Sequence, residues 1–179
     1  MKAYLILTAV GPDRSGLVDR VSADLAEKNL NIESSRMAVL GGEFAMIMLA
    51  SGQAGEIDRI VARPDVIARD AGLQVFVKKT AGPEARVMPA SLPYRVITAG
   101  MDHPGIVHDI SKTLHGFSAN IESMDTKVAP APVSGAPMFT MEAVIAVPVE
   151  VKIKRLREAL EKLGDELNMD IELEPLEAG

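Results

Sequence analysis

Two six-residue loops carry the residue types from which a binding site is most readily built. GPDRSG spans 11–16 and GMDHPG spans 100–105, and both read G-x-D-x-x-G after a short apolar run and before an amphipathic stretch. An aspartate just ahead of a helix can accept hydrogen bonds from the free N–H groups of the first turn, and proline is tolerated there because its missing N–H costs little. The glycines permit unusual φ values or close backbone approach. The same helix start, with its partial positive charge, can instead receive a small anion such as a carboxylate. The two uses compete, because a capping aspartate occupies the donors and repels an anion. A zwitterion reconciles them: the aspartate pairs with an ammonium while backbone N–H groups hold a carboxylate. Amino acids are such ligands.

Other chemistry finds little support. His103, His108 and His115 are the three histidines, and none stands four residues from another on a helix. Asp102, His103, His108 and Asp109 imitate a metal cluster, but His108 and Asp109 fall where the helix exposes polar residues, so no metal is expected. The chain has no cysteine, which excludes disulfides and thiolate chemistry and favours the cytoplasm. No nucleophile elbow or phosphate-cradling loop is present, and no cofactor is expected. With net charge −6 and no basic cluster beyond KIKRLR at 152–157, binding to a DNA or RNA backbone is not expected. No segment reaches the roughly 18 apolar residues of a membrane span. The opening MKAYLILTAV runs into the first loop without a small-residue cleavage site and reads as a strand, not a signal peptide.

The elements that position the loops are themselves repeated. Residues 5–36 slide onto 94–125 without a gap, with ten identities that include Gly11/Gly100, Asp13/Asp102, Gly16/Gly105, Asn31/Asn120 and Glu33/Glu122. FAM at 44–46 answers FTM at 139–141, six residues later than that offset, so the chain is a duplication with one insertion. The expected organisation is a first domain at 1–80, a Pro/Ala/Gly-rich linker at 81–92 and a second domain at 93–179. Each copy reads βαββαβ, the ferredoxin-like pattern: an α+β fold of two tandem four-stranded antiparallel sheets, each with two helices on one face and strand order 4-1-3-2. Leu17, Val18, Val21 and Leu25 fall at helical spacing, as do Ile106, Val107, Ile110, Leu114 and Phe117. A second helix over about 54–71 is kinked or split by Pro64. Ile153, Leu156, Leu160, Leu163 and Leu167 share one face of the last helix, so KIKRLREALEKLGDEL packs on a core. Gly41-Gly42 suits a tight hairpin turn, whereas APAPVSGAP at 129–137 reads as a stiff extended arm in the second copy. Charged residues avoid a helix-covered face. Arg95 and Glu142 on the central strands of copy two, and their counterparts Ile6 and Ile47, therefore mark the open faces. Copy one's open face is apolar, with Tyr4, Ile6, Ile47 and Leu49, and should be covered by another domain or subunit.

The βαββαβ pattern with D-x-x-G at its first turn resembles the ACT domain, a regulatory module that in many families binds amino acids. GPDRSGLV, NIESSRMAVLGGEFAMIMLASG, MDHPGIVHDIS, NIESMDTKVAPAPVSGAPMF and DELNMDIELEP are similar to the tandem-ACT group of glycine cleavage system transcriptional repressors, over nearly the whole chain. Ser15 departs from the proline that many such loops carry and that Pro104 supplies in copy two. The resemblance implies no enzyme but an amino-acid-sensing regulatory protein, with glycine or serine the first ligands to consider. It implicates Asp13, Arg14, Ser15 and Gly16 with Asn31, and Asp102, His103, Pro104 and Gly105 with Asn120. Each asparagine opens a second strand; it serves a turn there, or its amide reads a group bearing both carboxylate and ammonium, and both readings stand. The implied partner is a DNA-binding transcription regulator, in a homo-oligomer. The alternative is a ligand-free interaction or scaffold protein whose loops are only helix caps.

Overall fold

The computed structural model describes residues 1–67, 71–85 and 89–176. The chain divides into two compact units, 1–87 and 88–179. In the first, β1 (Lys2–Pro12) leads to α1 (Leu17–Glu27), β2 (Asn31–Leu40), β3 (Glu43–Gln53), α2 (Ala54–Ala62) and β4 (Gln74–Thr80). In the second, β5 (Ser91–Met101) leads to α3 (Ile106–Gly116), β6 (Asn120–Pro130), β7 (Pro137–Pro148), α4 (Ile153–Leu167) and β8 (Met169–Pro175). The sheets run β2-β3-β1-β4 and β6-β7-β5-β8, the expected ferredoxin-like order with the most apolar strands central. Ser91 and Leu92 pair with Pro148 and Val147, so the last two residues of the stretch read as linker belong to β5.

Alternation along the strands builds each core. Leu5, Leu7 and Ala9 of β1 and Met46, Met48 and Ala50 of β3 turn towards the helices and are buried. Leu17, Val21 and Leu25 of α1 and Ile57 and Ile60 of α2 close over them. In the second unit Ile106, Ile110 and Leu114 of α3 and Leu156 and Leu160 of α4 cover Val96, Met141, Ala143 and Ile145. Val18 and Val107, read as part of these stripes, are 41% and 38% exposed, because one residue beyond each buried position the helix has turned about 100° away from the sheet. Pro64 does split its helix: α2 ends at Ala62 and a single 3-10 turn occupies Pro64–Val66. Of that expected helix, residues 68–70 lie outside the described ones.

Both first helices end with a residue in the left-handed region, Asn29 at φ 52° and Ser118 at φ 55°. The N–H of the next residue then donates back to the helix, Leu30 to the Leu25 carbonyl at 2.9 Å and Ala119 to that of Leu114 at 3.1 Å. Gly41 and Gly42, at φ 60° and 84°, form the two-residue β2–β3 turn. The second hairpin corrects the expectation of an extended arm. Its ladder continues to Pro130 opposite Pro137, and 131–136 form a closed turn in which Ala131 N–H donates to the Ala136 carbonyl at 2.8 Å. A proline at the last pair of a ladder need not donate, which is how the strands absorb it.

Candidate functional site

Each loop is fastened at both ends by backbone. The Asp13 N–H donates to the Gly42 carbonyl at 2.9 Å, and the Asp102 N–H to the Pro137 carbonyl at 3.0 Å, tying the start of each loop to the neighbouring hairpin. At the other end Gly16 (φ 88°) and Gly105 (φ 103°) are the helix N-caps. That left-handed conformation is what requires glycine. The first glycine of the motif has a different cause. A Cβ on Gly11 would lie 2.9 Å from the Gly72 carbonyl oxygen, and one on Gly100 would lie 2.7 Å from Met169 Cγ. The fold therefore accounts for both glycines of G-x-D-x-x-G, the first by packing and the second by backbone conformation.

It does not account for the aspartates. Neither helix start has a side-chain cap, which corrects the reading of Asp13 and Asp102 as capping residues. Each stands three residues ahead of its N-cap glycine, with its backbone held by the hairpin, too early to reach the first-turn N–H groups. Both carboxylates are exposed. Neither forms a hydrogen bond or ion pair with a described residue. Around them, His103 is half-buried with Nδ1 3.2 Å from the Pro104 carbonyl, and the Arg14 guanidinium passes over Gly72. Ser15 and Pro104 are exposed.

Asn31 and Asn120 lie elsewhere. Asn31 sits opposite Ser51, and Ser51 opposite Tyr4, eight residues back along β1 from its last residue, Pro12. At about 3.3 Å per residue this is roughly 26 Å, so within one unit the loop and its asparagine occupy opposite ends of the sheet. Asn120, level with Ala146 and Pro93, is separated from Asp102 in the same way.

What surrounds Asn31 is a cluster that spacing alone did not reveal. The register of β2 slips between Ile32 and Ser34, leaving Glu33 as the extra residue of a β-bulge, and β6 repeats this at Glu122. Glu33 accepts a hydrogen bond from Ser51 Oγ at 2.5 Å and pairs with Lys2 Nζ at 2.9 Å. The Ser51 hydroxyl, then Lys2, then the Asn31 side chain lower its carboxyl pKa from 4.5 to about 2. Copy two keeps the bulge but places Ala146 where Ser51 stands, so it lacks the hydroxyl. The repeated NIES was visible in sequence; that residues 2, 33 and 51 meet depends on the sheet order.

Among the described residues no group of three His, Asp or Glu side chains could hold a metal, and no helix is long and apolar enough to cross a membrane. Two ferredoxin-like units with this loop define an ACT-domain regulatory architecture, and the ACT-domain family model matches residues 3–78. A protein named UPF0237 protein from Methanosarcina mazei is 34% identical over 73 residues, covering 41% of this chain and 79% of that one. The chain belongs to the ACT-domain family and carries two such domains in tandem. It is related to the glycine cleavage system transcriptional repressor of Escherichia coli, 29% identical over 92% of this chain and 86% of the relative. A crystal structure of an unknown protein from Galdieria sulphuraria superposes with TM-score 0.80 at 31% identity, covering 98% of this chain and 99% of that one.

Proposed function

We propose that the protein senses a free amino acid at its G-x-D-x-x-G loops and passes that state to a protein partner in the cytoplasm, in the manner of a glycine cleavage repressor. The observation that carries this reading is the pair of aspartates, identical in the two copies, exposed, and without a side-chain partner among the described residues. A residue that neither caps nor bridges has its charge available for an ammonium. The adjoining helix start, with no side chain on its first-turn N–H groups, suits a carboxylate. Arg14, Ser15 and Gly16, with His103, Pro104 and Gly105, form the remainder of the proposed contacts. Asn31 and Asn120 stand too far from the loop of their own unit to share its ligand. The partner is a DNA-binding regulator, because the net charge of −6 opposes binding of the chain itself to the duplex.

Calorimetry with glycine and serine first, then the other amino acids, tests the reading. Asp13→Asn and Asp102→Asn should weaken binding by roughly ten- to a hundredfold, the loss of a charge-assisted contact. They should leave thermal stability unchanged, since neither carboxylate caps its helix. If no amino acid binds at millimolar concentration, or both variants bind like the parent, the sensor reading fails and the ligand-free interaction module stands in its place.

A further inference from the structure

The helix-free faces of the two sheets are charge-inverted copies of each other. In the first unit the register lays Arg36, Ile47, Thr8 and Phe76 in one row across the sheet, and Ser34, Leu49, Ile6 and Lys78 in the next. Phe76 is 62% exposed and Ile47 47%, on a face where two of the cations, Arg36 and Lys78, form no ion pair with a described residue. The matching rows of the second unit read Asp125, Glu142, Ile97 and Glu172, then Ser123, Val144, Arg95 and Glu174. Arg36 is thus answered by Asp125, Lys78 by Glu174, Ile47 by Glu142 and Phe76 by Glu172. Arg95 is held by Glu142 at 3.0 Å, leaving Asp125, Glu172 and Glu174 in excess. Glu33, paired with Lys2, and Glu43 are acidic groups on the first face, and Lys127 joins Arg95 as a basic group on the second. The whole chain follows the same division. Residues 1–87 hold 11 basic and 11 acidic side chains, and 88–179 hold 8 and 14, so the second half carries the entire net charge of −6.

We propose that the apolar, cation-flanked sheet face of the first unit docks on the acidic sheet face of the second unit of another copy of this chain, in a closed two-fold dimer. Duplication supplies two sheets of the same strand order and register, and the substitutions between them supply complementary charge. Area favours closure. The shorter edge strands have seven residues, so a four-stranded face measures about 19 by 23 Å, or roughly 440 Å². One face-to-face contact would bury about 900 Å² in total, short of a stable interface, whereas the two contacts of a closed dimer bury about 1,800 Å². The closed arrangement also leaves neither Phe76 nor Ile47 in water.

Sedimentation velocity of the full chain between about 1 and 100 µM, at low and high salt, tests this. The parent should dimerise, more weakly at high salt. Arg36→Glu/Lys78→Glu should weaken the dimer roughly tenfold or more, and so should Asp125→Lys/Glu174→Lys. The fourfold variant joining both sets should recover it, which a misfolded variant could not do. A parent that stays monomeric, a dimer indifferent to either reversal, or a fourfold variant no tighter than the two doubles would overturn the proposal.

Discussion

Glu33 shows how one inserted residue acquires a set of partners. A regular strand would place it in the ladder; the bulge swings it towards the ends of β1 and β3, where Ser51 and Lys2 wait. The native state keeps its carboxyl ionised down to about pH 2, whereas the unfolded chain protonates it near 4.5. Its contribution to stability is therefore fully present above pH 4.5 and is lost as pH falls towards 2. Ser51→Ala removes the largest cause and should move the Glu33 pKa upward, more than Lys2→Ala does. A carboxyl NMR titration reads this directly, and an unmoved Glu33 in the Ser51 variant would contradict the assignment. Asp13 and Asp102 are the opposite case: carboxylates with no side-chain partner among the described residues.

At the level of elements, α4 and β8 are fitted more tightly than their sequence indicates. Gly164 is buried in the last turn of α4, and a Cβ there would lie 2.6 Å from the Met169 carbonyl oxygen. Alanine at this position gains about 1 kcal/mol in helix propensity. Forcing helix and strand apart costs roughly 1–3 kcal/mol, and that is the larger effect. Gly164→Ala should lower the unfolding temperature, measured by circular dichroism; a stabilised variant would show that the strand yields freely. The Leu stripe of α4, the order of elements and the Gly41-Gly42 turn were all legible, because helical spacing, alternation and duplication are local patterns. The end of the second hairpin was not. Prolines argue against pairing when read singly, and only the register shows Pro130 and Pro137 at the last rung. The two glycines of each loop were legible as glycine positions, but the cause at Gly11 and Gly100 depended on Gly72 and Met169, far along the chain.

On the scale of the whole molecule, charge is the property with the widest reach. Because the net −6 resides in 88–179 and the first half is balanced, neither half carries the excess of cations that binding to phosphate draws on. The purified protein should give no gel shift with duplex DNA at physiological salt. A salt-sensitive shift by the protein alone would remove the need for a DNA-binding partner. Composition made this legible from the outset. The division of charge between the two sheet faces was not, since it emerges only when each residue is assigned a row and a face.

β2 has a further consequence, for the protein's behaviour when concentrated. It is an outer strand with a single neighbour, and all ten of its residues are exposed, among them Met37, Val39 and Leu40. Its unpaired N–H and C=O groups offer any extended chain a template for cross-β growth. What guards it is the kink at Glu33 and the positive charge of Arg36. Its counterpart β6 carries Asp125, Lys127 and a terminal Pro130 instead. Self-templated aggregation should therefore begin at residues 37–40, a run of outer strand without a charged or proline gatekeeper of its own.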